Sequence, residues 1–199
     1  MWRAYGSMSS QSAVRGYGGP LFSPFSLRPW LLSHSSKVGP SGTASPCILE
    51  RLARTWPEAE MVGFDPAPGM VEVARSKHRG DGRFRFEIAA AEELPFPDAT
   101  FDLALSTVSF HHWSDPSRGL QEVARVSRPE ARLFLADAYP GGVLRFLAPV
   151  IGRLRGECYR TAEELAQLLA QAGFVVLEQR VLPDVGGSVL LTISRSSSS

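Results

Sequence analysis

The sequence predicts an α/β domain: a mostly parallel sheet, helices on both faces, and a reversed strand at one edge. Two observations carry this. From Cys47 onward, short apolar or alternating runs are separated by stretches with helical periodicity, the succession that a parallel sheet with crossover helices requires. The last two strand patterns, "FVVLEQRVL" and "GSVLLTIS", are joined through "PDVGG" with no helix between them. They therefore pair as an antiparallel hairpin.

Each element has its own signal. "CILERLARTW" sets Ile48, Leu49, Leu52 and Trp56 on one helical face, and Pro57 ends it. "EMVGFD" is a short apolar run closing on Asp65, the pattern of a buried strand. "APGMVEVARSKH" is the next helix, with Met70, Val71 and Ala74 sharing a face. "RFRFEIA" alternates as a strand, "AEELPFPDATF" is a loop with two prolines, and "FDLALSTVSF" is a third strand run. In "DPSRGLQEVARVSR" Asp115 is the N-cap, and Leu120, Val123 and Val126 face inward. "ARLFLADAY" is a further strand. In "TAEELAQLLAQAG" Thr161 caps the helix, Glu164 completes a capping box and Gly173 ends it.

The 199 residues fit one domain with a sizeable core. A net charge of +1, with scattered basic residues, gives no reason to expect a nucleic-acid partner. Cys47 and Cys158 have neither metal-ligand spacing nor a secreted disulfide framework, so a reducing, cytoplasmic setting is expected. No membrane span is expected either: the longest apolar stretch is short and broken by Arg145 and Pro149. Residues 1–46 form a Ser/Gly/Pro-rich leader, and no Asp or Glu occurs before Glu50. That composition fits an organelle transit peptide, a disordered extension or a misassigned reading-frame start. Residues 47–194 form the folded domain, and 195–199 a disordered tail.

In open sheets of this kind, ligands bind beyond the carboxyl ends of the strands, where strand order reverses. Asp65 and Ser106 fall at such ends. A carboxylate there can accept hydrogen bonds from both hydroxyls of an adenosine ribose, or cap the following helix through backbone amides. The adjacent His111 and His112 have no further ligand at metal spacing, so no metal site is expected. One of them could serve as a general base; packing at a helix entry with Trp113 is the alternative.

The blocks "EMVGFDPAPGMVEVAR", "AAAEELPFPDATFDLALS", "FHHWSDPSRGLQEVARVSRPEARLFLADA" and "AEELAQLLAQAGFVVLEQ" resemble those of the class I S-adenosylmethionine-dependent methyltransferases. The resemblance is to the ubiquinone/menaquinone-biosynthesis type, and it covers Cys47 to Ser194. It implies a Rossmann-like methyltransferase sheet and methyl transfer from S-adenosylmethionine to a small-molecule acceptor. Asp65 would hold the ribose hydroxyls, and Met70 would pack near the adenine. Ala91 and Glu92 would meet the adenine ring through their loop, and Ser106 would lie beside the methionine part. Relatives commonly carry Asp where this chain has Ala90, which removes a hydrogen bond to the exocyclic amine. The turn before the fifth strand is Pro129-Glu130-Ala131 instead of Pro-Gly-Gly, so a position that prefers positive φ holds a residue with a Cβ. A nicotinamide-dependent dehydrogenase is disfavoured by the Glu92 loop and the edge hairpin.

The resemblance also implies an acidic-x-Gly-x-Gly-x-Gly loop after the first strand. It falls on "PSGTASP", with Pro40 at the acid and Gly42, Ala44 and Pro46 at the glycines. Only Gly42 is retained. The preceding "LLSHSSKV" is a weak strand for what should be the central position. Three explanations follow: a non-native start before Cys47, a non-catalytic protein that keeps the fold, or an enzyme with a divergent, weaker loop.

Overall fold

The computed structural model describes residues 30–34, 47–139, 159–184 and 187–197. Among them are seven strands: β1 Trp30–His34, β2 Met61–Asp65, β3 Phe84–Ile88, β4 Phe101–Thr107, β5 Ser127–Tyr139, β6 Phe174–Asp184 and β7 Gly187–Ser196. The described helices are α1 Cys47–Thr55, α2 Pro68–Lys77, α3 Pro116–Val126 and α4 Ala162–Gln171. All seven strands join one sheet in the order β3-β2-β1-β4-β5-β7-β6.

The order reverses between β1 and β4. From β1 the chain works outward through β2 to β3, then returns to place β4 on the other side of β1. These pairings, and that of β4 with β5, are all parallel. β1 lies upstream of the Cys47 texture boundary, in the weak "LLSHSSKV" region. Its place is fixed by backbone pairing on both sides, Leu32 opposite Gly63 on one and Leu105 on the other. The terminal hairpin stands at the sheet edge with β6 outermost, and the reversed strand β7 is inserted antiparallel between β5 and β6.

Successive residues of a strand point to opposite faces, and the core divides accordingly. Val62, Phe64, Ala104, Leu133 and Leu135 join Leu120, Val126, Leu165 and Leu169 in the larger cluster, beneath α3 and α4. Met61, Leu103 and the partly buried Phe134 join Leu49, Leu52 and Trp56 of the α1 region in a second. Helices on both faces therefore follow from the near-continuous apolar runs of β2, β4 and β5.

The caps follow the side-chain chemistry at each end. Asp115 accepts a hydrogen bond from the Arg118 amide, and Thr161 and Glu164 form a reciprocal capping box. Gly173 ends α4 with φ of 86°. In the turn before the core of β5, Glu130 takes φ of 69°, the left-handed conformation that glycine holds without steric cost.

Gly119 marks where α3 meets the turn before it. A Cβ there would stand 2.5 Å from Trp113 Cε3, inside any real contact. Gly119→Ala should destabilise the domain by about 1–3 kcal/mol. Chemical denaturation would measure it; an unchanged midpoint would mean that Trp113 is free to move aside.

Candidate functional site

Four chain segments meet at the carboxyl ends of the parallel strands: the end of β2, the loop after β3, the turn after β4 and the end of β5. Asp65 closes β2 and is only 7% exposed. Its Oδ1 accepts a hydrogen bond from the Ala67 amide at 2.8 Å, shaping the turn into α2. Its carbonyl accepts from the Ala89 amide at 3.3 Å, which ties the loop after β3 to the same place. Met70 is half-buried in the first turn of α2.

In the loop after β3, Ala91 is buried. Glu92 turns to α3: its Oε1 accepts from the Asp115 amide at 3.0 Å, and its carbonyl accepts from Arg118 Nε at 3.0 Å. That carboxylate braces the helix start. Ser106, next to last in β4, is buried, with its Oγ 2.7 Å from Ser109 Oγ. Gly42 and the rest of "PSGTASP" lie outside the described residues, as does the apolar segment 140–158.

The loop carrying "LPFPD" is held by α3. Arg125 donates to the carbonyls of Leu94 and Phe96 at 3.0 and 2.9 Å and to Asp98 Oδ1 at 2.7 Å. Glu122 accepts from the Leu94 amide at 3.0 Å and pairs with Arg125. The hydrogen bond from Arg125 holds the Glu122 carboxyl below the usual glutamate range, and these carboxylates raise the Arg125 guanidinium in turn. The two sequence blocks "LPFPDATFD" and "EVARVSRP" are thus halves of one clasp.

The histidines occupy a single turn of 3-10 helix, Phe110–His112. Phe110 packs edge-on against Trp113, with ring centroids 5.0 Å apart. His111 is only 6% exposed, and its partner is Asp137 near the end of β5, 8% exposed. The His111 amide donates to Asp137 Oδ2 at 2.7 Å, and His111 Nδ1 lies 2.5 Å from Asp137 Oδ1. Oδ1 also accepts from the Ala138 amide at 2.8 Å. Asp137 is absent from the residues singled out by sequence. The available signal was an acid interrupting the buried run "LFLADAY", one strand away from the histidine pair.

The sheet order and the antiparallel strand inserted before its outermost strand define an α/β protein with a Rossmann-like methyltransferase fold. The family model described as "Methyltransferase domain" matches residues 38–135. O-methyltransferase cnsE of Penicillium expansum is 35% identical over 128 residues, covering 61% of this chain and 46% of that protein. The ubiquinone/menaquinone biosynthesis C-methyltransferase UbiE of Geobacter sulfurreducens is 33% identical over 152 residues, covering 63% and 59%. The crystal structure of YcgJ from Bacillus subtilis superposes with a TM-score of 0.65 at 21% identity, covering 86% of this chain and 93% of that one. The chain spans 32%, 46% and 59% of the length of the first curated relatives it matches. Over residues 38–135 the chain is thus similar to methyltransferase domains, and relatives of the ubiquinone/menaquinone-biosynthesis type are among those it resembles.

Among the described residues no cluster of His, Cys, Asp and Glu is set to hold a metal, and no helix is long and apolar enough to cross a membrane.

Because the Glu122 carboxyl is depressed in the folded state, the stability it adds is full above the ordinary glutamate range. It is lost as pH falls through the lower, folded value. Wild type should therefore exceed Glu122→Gln by about 1 kcal/mol near neutrality, with the gap closing in acid. Denaturation at several pH values measures it; a gap that does not depend on pH contradicts the ionic clasp.

Proposed function

We propose that this chain transfers a methyl group from S-adenosylmethionine to a small-molecule acceptor. The observation that carries this is the buried Asp65 at the end of β2, with the loop after β3 bonded to its carbonyl. An acidic acceptor of hydrogen bonds beside a backbone-lined loop suits the adenosine half of the cofactor. Asp65 receives the ribose hydroxyls, Met70 packs near the adenine, and the Ala91–Glu92 backbone meets the ring. Ser106 borders the methionine part and faces the acceptor, and Gly42 lets the backbone approach it.

When bound, S-adenosylmethionine supplies an electrophilic methyl group on a sulfonium. The chain's work is to align an acceptor with that methyl and to keep water away, a task worth several kcal/mol of barrier. Relatives named as O- and C-methyltransferases occur side by side, so oxygen and carbon are both acceptor atoms within the type.

The loop substitutions favour a second reading, a fold-retaining protein without catalysis. Pro40 brings no charge, and Pro46 fixes φ near −65° where glycine is expected. Calorimetry with S-adenosylhomocysteine separates the two. Binding supports methyl transfer; no heat at millimolar ligand overturns it. Asp65→Ala should weaken that binding about thirtyfold, the equivalent of roughly 2 kcal/mol. Ala90→Asp should tighten it about tenfold by adding a partner for the adenine amine.

A further inference from the structure

The two outer strands of the sheet differ in how they meet solvent. β3 is five residues long, and Arg75 of α2 donates from Nε to the Phe86 carbonyl at 3.0 Å, so an acceptor of that strand is occupied from within the chain. β6 runs for eleven residues and, among the described residues, pairs on one side alone, with β7. A long open strand edge recruits further strands unless charges of one sign, a proline or a bulge blunts it. From Val175 to Leu182 there is no proline, and the single acid and single base cancel. The bulge between Val176 and Glu178 comes early, and from Glu178 to Asp184 the register with β7 is unbroken. Four of the seven exposed large hydrophobics among the described residues lie on this one strand: Val175, Leu177, Val181 and Leu182. Such a segment is either paired or an aggregation hazard.

The order of residues in β6 selects the partner. Val176-Leu177-Glu178-Gln179-Arg180-Val181-Leu182 is symmetric in kind about Gln179, with two aliphatics and an acid before it, a base and two aliphatics after it. Glu178 and Arg180 stand two residues apart on one face and meet as an ion pair within the strand. Gln179 faces the other way. Its Nε2 donates to the Ala162 carbonyl at 3.0 Å and to Thr192 Oγ1 at 3.2 Å, which fixes the centre of the stretch against α4 and β7. An antiparallel copy of the strand centred on Gln179 sets Glu178 opposite Arg180 of the partner subunit, and Leu177 opposite Val181 of the partner subunit. Registers centred on Glu178 or on Arg180 would set like charges face to face. The charges therefore choose one register, and a second copy of this strand satisfies it twice.

We propose that β6 is a self-association surface whose occupant is β6 of a second copy of this chain, paired antiparallel about a two-fold axis at Gln179. The contact is isologous and closes at the dimer. Two seven-stranded sheets become one continuous sheet. β6 runs parallel to β5, since β7 is antiparallel to both, so the carboxyl ends of the parallel strands in the two copies point in opposite directions. The two candidate sites open at opposite ends of the joined sheet, and no residue of β6 belongs to either. A single strand pair is a small interface, so the association is reversible and concentration-dependent.

Sedimentation velocity of the full chain over a concentration series tests this. Wild type should pass from monomer to dimer and no further. Glu178→Arg and Arg180→Glu should each weaken the dimer about tenfold or more, because each sets like charges opposite one another twice. An equimolar mixture of those two variants should dimerise as wild type does, since one then presents only bases and the other only acids. Glu178→Arg combined with Arg180→Glu in one chain should recover the dimer as well. Both recoveries need folded protein, so they separate a lost contact from a lost fold. Amide hydrogen exchange in wild type should show protection that rises with concentration within Val175–Leu182. A monomeric wild type, assemblies that grow past the dimer, single variants that associate like wild type, or a mixture that stays monomeric would each overturn the proposal. Concentration-dependent protection confined to another element would overturn it too.

Discussion

Two buried carboxylates govern the carboxyl end of this sheet. An unsatisfied charge there would cost several kcal/mol, so each must collect N–H donors, and the donors it collects are what shape the turn beside it. Asp65 takes the Ala67 amide and thereby sets the turn into α2. Asp137 takes the amides of His111 and Ala138 and the imidazole of His111, and so fixes the turn after β4. The two turns are positioned by the same requirement, met with different partners.

Between them, the loop after β3 has no regular structure to hold it and borrows its rigidity from α3. Arg125 and Glu122 supply the donors and acceptor for Leu94 and Phe96, and Glu92 closes the other end on Asp115 and Arg118. Burial of Trp113 against Gly119 locks the helix start to the turn that bears the histidines. The backbone of that loop is thereby coupled to the hydrophobic core rather than left to solvent.

Much of the scaffold was legible because its signals are local. Asp115, Thr161, Glu164 and Gly173 cap elements within a few residues of themselves, and Asp65 closes an unbroken apolar run. The strain at Glu130 was readable for the same reason, since a Pro-Gly-Gly turn lacking its glycines must place a Cβ at positive φ. β1 was hard to read because its place comes from pairing with β2 and β4, not from its own composition. Asp137 went unnoticed because its partner is 26 residues away in sequence, across a strand boundary that periodicity does not register. The clasp around Leu94 was present in the sequence as two familiar blocks, but their contact is a tertiary fact.

The central claim is that the end of β2, the loop after β3 and the turn after β4 form one ligand site. Amide chemical shifts of the isotopically labelled protein, followed on addition of S-adenosylhomocysteine, test it most directly. The largest changes are predicted at Asp65–Met70, at Ala89–Glu92 and from Ser106 to His111. Changes confined to α4 and the β6–β7 hairpin, or no changes at saturating ligand, would contradict it.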